Sequence, residues 1–165
     1  MTETKYYQND IHVWHQLVDQ EKTYLETRKI FLNSPSRVEL LRKALQNPSE
    51  RATALKFINY LTKSEHQSLF DELIKLASVG HSDIELVRNT ILSLDKIWLL
   101  ENIEIHAESI LENGTDEEYR RLLELYIQLD NQLTQRLVVK ALQHLDTDIQ
   151  EVGEDFKNYL KTTEV

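Results

Sequence analysis

The 165-residue sequence contains no cysteine, only three glycines and only two prolines. Without cysteine the chain has no disulfide framework and no thiol chemistry. So few glycines and prolines supply too little turn chemistry for a fold made of many β-hairpins. The most frequent residues, among them leucine, glutamate and lysine, favour helices instead. The composition therefore predicts an all-α protein.

Long hydrophobic stretches are also missing. The longest uninterrupted apolar run is four residues, Ile97 to Leu100, whereas a membrane-spanning helix needs about 20. The N-terminal residues lack the apolar segment of a secretory signal peptide. We therefore expect no membrane span and a cytoplasmic location, with residues 1–165 forming one domain that is large enough to bury its own core.

Acidic charge is concentrated in one half of the chain, whose total net charge is −9. Residues 1–80 carry a net charge of +1, whereas residues 81–165 carry 8 basic and 18 acidic side chains, a net charge of −10. A negative surface repels phosphate backbones and attracts basic proteins. The charge thus favours a basic protein partner over nucleic acid, although acidic residues can also serve only to keep a surface soluble.

Apolar residues recur at helical spacing along the chain. Residues 9–32 predict one long helix that begins at Asn9 or Asp10 and ends before Pro35, and we interpret it as an N-terminal capping helix. Four helix pairs are predicted after it, at about residues 36–62, 65–94, 101–129 and 131–160.

Short polar motifs predict where these helices begin and end. Thr115 followed by Glu118 has the pattern of a capping box. Ser64, Asp130 and Thr147 are predicted N-caps, Asn47-Pro48 is predicted to open a helix, and Gly80 is a predicted left-handed C-terminal stop.

The helix pairs repeat every 32 to 33 residues. Lys43-Ala44-Leu45-Gln46 recurs unchanged at residues 140–143, and Lys75 and Glu108 occupy the equivalent positions between, at steps of 32, 33 and 32 residues. An aspartate lies eight residues after three of these positions, at Asp83, Asp116 and Asp148. Stacked pairs share a core that one pair cannot form alone. The predicted fold is therefore an α-α superhelix, or solenoid, of about four helix pairs.

The second helices of the pairs begin with a shared motif that resembles HEAT-like repeats. The matching segments are Ser82-Asp83 with Val87-Arg88, Thr115-Asp116 with Tyr119-Arg120, and Thr147-Asp148 with Val152. In that family an aspartate opens the second helix, and the arginine that follows pairs with an aspartate of a neighbouring repeat. The resemblance covers about residues 36–160, and it implies structural inter-repeat roles for Asp83, Arg88, Asp116, Arg120 and Asp148.

The sequence departs from the HEAT pattern in three respects. Gly153 stands where arginine is expected in the last repeat, Arg51 has no aspartate before it, and the period is shorter than the usual ~40–47 residues. Tetratricopeptide arrays have a suitable period of ~34 residues, but their sequence landmarks are absent, as is the Thr-Pro-Leu-His of ankyrin repeats. The resemblance thus informs the fold much more than the activity.

One predicted helix carries four carboxylates along one face, Glu101, Glu104, Glu108 and Glu112. Like charges at this spacing mildly destabilise a helix, so a binding surface for a basic protein would explain them. A solvated outer face is the simpler alternative. Arg121 and Glu124, which we expect to be more exposed than Arg88 and Arg120, complete the predicted partner-binding set.

No motif predicts catalysis or a cofactor. The sequence has no phosphate loop, nucleophile elbow or HExxH motif, and nothing supplies a nucleophile beside the carboxylates. His12, His15 and Asp19 have the spacing of metal ligands on one helix face, but no fourth ligand is evident, so no metal site is predicted.

The predicted function is non-enzymatic protein binding by an extended repeat surface. A small acidic binder of this kind could be a scaffold, or an immunity or inhibitor protein against a basic toxin. Two enzyme classes share such repeats and remain alternatives. HEAT-like DNA glycosylases use a basic groove, which the acidic half argues against, and no pigment-related feature supports a chromophore-lyase-like enzyme.

Overall fold

The computed structural model describes the backbone of residues 2–163 and the side chains of residues 7–162. Residues 2–163 form ten α-helices and no strand, which confirms the all-α prediction. The helices are α1 (Thr2–Leu32), α2 (Arg37–Gln46), α3 (Pro48–Ile58), α4 (Lys63–Gln67), α5 (Phe70–Ala77), α6 (Ile84–Leu92), α7 (Lys96–Leu111), α8 (Asp116–Leu129), α9 (Asn131–Leu142) and α10 (Thr147–Thr163).

Backbone contacts divide the chain into two compact units, residues 1–40 and residues 41–165. Helix α1 makes up most of the first unit and begins at Thr2, seven residues earlier than the earliest predicted start. No glycine or proline interrupts residues 2–10, so Asn9 and Asp10 lie inside the helix and not at its N-cap. The helix ends before Pro35, as predicted.

In the second unit, helices pack against their neighbours in the chain, α5 on α6, α7 on α8, α8 on α9 and α9 on α10. Further contacts join helices of successive predicted pairs, α3 with α6, α5 with α7 and α8 with α10. Leucine and isoleucine side chains fill the space between these helices, and many are fully buried, such as Leu45, Leu73, Ile91, Ile103 and Leu122. The apolar sides of these contacting helices therefore form the core of the second unit.

Several helix starts lie where the polar motifs predict them. Asn47 accepts a hydrogen bond from the Ser49 backbone N–H at 3.1 Å and caps α3. The capping box of α8 is present, and the Thr115 backbone N–H donates to Glu118 Oε2 at 2.8 Å. Asp130 caps α9 by accepting from the Leu133 backbone N–H at 2.9 Å. Side-chain oxygens thus satisfy N–H groups that have no partner within the helix.

The start of α4 differs from the prediction. Thr62, not Ser64, is its N-cap, because Glu65 lies three residues on and completes a capping box. The end of α5 also differs, since Gly80 does not have a positive φ. Gly80 instead donates its backbone N–H to Glu117 Oε1 at 2.9 Å, so this turn is connected to α8 and is not closed by a left-handed residue.

The starts of α7 and α10 also differ. Asp95 accepts from the Trp98 backbone N–H at 3.0 Å and caps α7, so this helix includes the apolar run and does not begin near Glu101. That hydrogen bond and the neighbouring Lys63 ammonium hold the pKa of Asp95 below its usual value. Asp146, not Thr147, lies at the N-cap of α10, where its carboxylate accepts from the Asp148 N–H at 2.8 Å.

Gly153 lies where α10 packs against α9. It is buried, and a Cβ at this position would lie 3.0 Å from both the Leu142 backbone nitrogen and Leu142 Cγ. The space beside α9 therefore excludes the arginine that the HEAT pattern would place here.

Replacing Gly153 by alanine is expected to lower the free energy of unfolding by about 1 kcal/mol. Alanine normally stabilises a helix interior by about 1 kcal/mol relative to glycine, but overpacking against a backbone atom costs about 1–3 kcal/mol. Urea unfolding followed by circular dichroism measures the difference. Exposed Ser109 on α7 provides a control, because its change to alanine should leave stability the same or higher. A higher free energy of unfolding for the Gly153→Ala variant would contradict this prediction. It would show that α9 shifts to accommodate the added methyl group.

Candidate protein-binding surface

Helix α7 carries the predicted carboxylates on its exposed side. We call Glu101, Glu104, Glu108 and Glu112 the acidic face; the first three lie within α7 and the fourth is its C-cap residue. All four are exposed. Ile97 and Ile105 lie on the same side of α7, and they are 70% and 69% exposed. Acidic and apolar side chains therefore alternate along one surface of this helix.

Glu104 is the member of the acidic face that has an ion-pair partner among residues 7–162. Arg136 on α9 donates to it twice, from Nε to Oε1 at 3.0 Å and from Nη2 to Oε2 at 2.8 Å. This bidentate bond raises the pKa of Arg136. The other three carboxylates, which have no such cation in the described part of the chain, leave their charge unneutralised.

One helical turn further, Glu108 and Lys140 occupy the next positions on the same two helices. They are 32 residues apart, as Glu104 and Arg136 are, but no hydrogen bond or ion pair joins them in the described residues. A cavity of about 270 Å³ lies at this position. Its lining consists of Glu104, Ile105, Glu108, Leu111, Tyr126, Arg136, Leu137 and Lys140. We call it the α7–α9 pocket.

Tyr126 of α8 lines this pocket although it is only 1% exposed. Its hydroxyl has no hydrogen-bond partner within the described residues. Burial raises the pKa of Tyr126, and the Glu104 carboxylate raises it further while Arg136 opposes this. The hydroxyl is therefore close enough to the Glu104–Arg136 pair to be affected by both charges. By contrast, the buried Tyr119 hydroxyl on the same helix donates to the Leu111 carbonyl at 3.4 Å.

A second cluster surrounds Arg88 of α6, which is buried. Its guanidinium donates to Glu85 Oε1 at 2.7 Å, to the Arg121 carbonyl at 3.4 Å and to the Glu124 carboxylate. Arg121 also donates to both Glu124 oxygens at 3.1 Å. The structure therefore places the predicted partner-binding residues Arg121 and Glu124 in one network with the predicted structural residue Arg88.

The other predicted inter-repeat residues lie near helix starts. Asp83 is half-buried, and its carboxylate lies 4.0 Å from Arg51 of α3. Arg120 donates to Asp155 of α10 at 2.9 Å. Asp116 and Asp148 are exposed in the first turns of α8 and α10, where a negative charge stabilises the helix dipole.

Polar pairs between distant side chains have a common spacing. Among the residues whose side chains the structure describes, seven such pairs join positions 30 to 36 residues apart: Arg42–Glu72, Arg51–Asp83, Lys63–Asp95, Asp71–His106, Arg88–Glu124, Glu104–Arg136 and Arg120–Asp155. This separation is about one period of the sequence repeat. Each of these pairs therefore joins elements that are about one repeat apart.

The histidine motif lies on α1, where His12, His15 and Asp19 are all exposed. Within the described part of the chain, no group of three or more histidine, aspartate or glutamate side chains is arranged to hold a metal ion. Elsewhere, His66 lines a cavity of about 470 Å³ near the ends of α3 and α6. Burial lowers the pKa of His66, and a hydrogen bond to the Thr90 backbone opposes this shift.

Sequence reasoning missed Arg136, Lys140 and Tyr126. The signal was nevertheless present, because adding one period of 32 to Glu104 and Glu108 gives Arg136 and Lys140. Tyr126 gave no such signal, because the spacing of apolar residues along a helix does not show whether a tyrosine hydroxyl has a hydrogen-bond partner.

Comparisons with protein-family models, curated proteins and solved structures found no match to this chain. Among the helices described above, none combines the length and the apolar character needed to cross a lipid bilayer.

Proposed function

We propose that this protein is a non-enzymatic binding module that holds a basic protein on the acidic face of α7. One observation carries the proposal: unneutralised carboxylates alternate with exposed isoleucines on one side of one helix. Such a surface costs stability in the free protein, because like charges repel and apolar side chains contact water. A basic, partly apolar partner removes both costs when it binds.

Charge and apolar area contribute differently to this binding. The net charge of −10 over residues 81–165 speeds the approach of a basic partner and disfavours acidic ones. Ile97 and Ile105 supply the apolar contact that remains when salt screens the charge. An immunity or inhibitor protein that blocks a basic toxin is one form that such a module could take.

We also propose that residues 41–165 stack their helix pairs as an α-α solenoid with HEAT-like repeats. The polar pairs between residues 30 to 36 positions apart support this arrangement, as do the contacts of α3 with α6 and α8 with α10. In a solenoid each repeat contacts chiefly its neighbours, so contacts about one period apart are expected. Stacking would place α7 and α9 side by side, with the acidic face along their outer surface.

The test reverses charge at Glu101 and Glu112, because these two carboxylates form no hydrogen bond or ion pair within the described part of the chain. Glu104 is kept since it holds Arg136, and Glu108 is kept since it lines the α7–α9 pocket. Against a basic protein captured from among the products of neighbouring genes, the Glu101→Lys, Glu112→Lys variant should bind at least about 10-fold more weakly at low salt. Isothermal titration calorimetry at two salt concentrations measures the affinities.

The matched control reverses Glu151 and Glu154 on α10, which are also exposed. This control variant has the same net charge as the test variant. If the position of the carboxylates on α7 matters, and not only the total charge, the control should retain most of the wild-type affinity. Equal affinity of the test variant and the wild-type protein would contradict the proposal. Duplex DNA binding in a low-salt gel-shift assay that exceeds the protein affinity would instead support the glycosylase alternative.

A further inference from the structure

We propose that the α7–α9 pocket anchors a side-chain carboxamide, from a glutamine or an asparagine of an extended partner segment. This inference rests on the proposed binding function and assigns the chemistry of its contact point. It is carried by Tyr126, which lines a cavity together with Glu108 and Lys140 and whose buried hydroxyl has no hydrogen-bond partner among the described residues.

The size of the pocket suits one side chain. Its volume of about 270 Å³ is below the ~300–1,000 Å³ that is typical of sites for whole small-molecule ligands. Ile105, Leu111 and Leu137 supply an apolar wall for the methylene groups of a side chain. A single anchor residue in a pocket of this kind can supply a large share of the affinity of a protein interface.

The charge of the pocket favours a neutral group. Glu104 and Glu108 supply two negative charges, and Arg136 and Lys140 supply two positive charges. The ammonium or guanidinium of a bound side chain would be attracted by Glu108 but repelled by Lys140, and a bound carboxylate would meet the reverse. A neutral group avoids both repulsions, provided that its dipole is aligned with the two charges.

The available hydrogen-bonding groups require a donor and an acceptor together. Tyr126 offers a hydroxyl, Lys140 offers an ammonium, and Glu108 offers a carboxylate that accepts. A carboxamide oxygen can accept from Tyr126 or Lys140 while its NH₂ group donates to Glu108. An aliphatic side chain would leave all three groups without a partner, so it would fit the volume but not the chemistry.

The experiment titrates the full-length ¹⁵N-labelled protein with four capped tripeptides, Ac-Ala-X-Ala-NH₂, in which X is glutamine, glutamate, lysine or norleucine. Their backbones are identical, so any difference in affinity reports the side chain. We expect the glutamine peptide to bind at least about fivefold more tightly than each of the others, with saturable shifts at residues 104–111 and 136–140.

Two variants separate a binding role from a folding role. Tyr126→Phe keeps the ring and removes the hydroxyl, and it should weaken glutamine-peptide binding about fivefold while the melting temperature stays unchanged or rises. Tyr119→Phe removes a hydroxyl of the same helix that is already hydrogen-bonded, and it should leave peptide binding unchanged. A Tyr126→Phe protein that binds as well as the wild type would overturn the proposal.

The remaining outcomes are also decisive. Equal or tighter binding of the glutamate, lysine or norleucine peptide would overturn the assignment of a carboxamide, and so would the absence of saturable shifts with the glutamine peptide. Because Glu101 and Glu112 lie outside the pocket lining, their reversal tests the acidic face separately. If the glutamine peptide does not bind but the charge reversal weakens partner binding, the pocket assignment is wrong and the proposed function stands. If the charge reversal has no effect, the peptide titration still tests the pocket by itself.

Discussion

Replacement of Phe70 by alanine is expected to lower the free energy of unfolding by about 4 kcal/mol, the largest effect that we predict. Phe70 is completely buried at the start of α5. Its ring meets the rings of Trp98 and His106 edge-on, with centroid distances of 5.1 Å and 5.0 Å. Truncation would therefore leave a cavity between α5 and α7 and would also remove two aromatic contacts.

The Phe70→Leu variant separates these two contributions. Leucine fills most of the volume but lacks the ring, so its cost should be about 1–2 kcal/mol, close to the value of lost aromatic pairing plus imperfect packing. Urea unfolding of both variants, followed by circular dichroism, gives the loss of unfolding free energy for each. The two losses are compared at the same dependence of the free energy on urea concentration. A cost below about 1.5 kcal/mol for Phe70→Ala would show that α5 and α7 are not packed as described.

Replacement of Arg88 by alanine is expected to lower the free energy of unfolding by about 3 kcal/mol. The guanidinium is buried and joins Glu85, the Arg121 carbonyl and Glu124. Its loss leaves the partly buried Glu124 carboxylate with Arg121 as its remaining cation in the described network. Breaking one side of a buried ion pair is costly because the other charge stays desolvated.

Arg120 provides the matched control for Arg88. It lies 32 residues later at the equivalent position of the repeat, but its side chain is 39% exposed and that of its partner Asp155 is 53% exposed, against 7% for Arg88. Exposed ion pairs contribute about 0–1 kcal/mol, so Arg120→Ala should cost less than about 1 kcal/mol. Equal losses for the two variants would contradict the idea that burial makes the Arg88 network important.

The Arg88 network also predicts a pH dependence. Burial tends to raise the pKa of Glu124, but hydrogen bonds from Arg88 and Arg121 outweigh it and hold the pKa below the ordinary value of 4.5. Because the folded-state pKa is the lower one, this group contributes stability that is fully present above about pH 4.5 and is lost as pH falls through the folded-state pKa. Urea unfolding between pH 3 and pH 7 should show a smaller acid loss for Arg88→Ala than for Arg120→Ala.

Local chemistry explains why much of the secondary structure was predictable. The caps at Asn47, Thr115 and Asp130 depend on side-chain oxygens that reach backbone N–H groups two or three residues away, so a short window of sequence contains all the information. The wrong assignment at Ser64 had a local cause, because the capping box of Thr62 and Glu65 offers a better cap two residues earlier.

The candidate site was predictable only in part. Helical spacing was enough to align Glu101, Glu104, Glu108 and Glu112, because they belong to one helix. The partner of Glu104 lies on another helix, and only the repeat period connects the two in sequence. Arg121 and Glu124 were predicted to bind a partner, but their contacts with Arg88 depend on how α6 lies beside α8.

The sequence by itself determined the all-α composition, several helix caps and the acidic character of residues 81–165, because each depends on residue type or on neighbours within one or two turns. Only the tertiary structure decided which charges are neutralised and which are left exposed. It also decided that Gly153 must be small and that the Tyr126 hydroxyl is buried without a partner among the described residues. These properties depend on distances of a few ångströms between helices, and helical periodicity does not specify such distances.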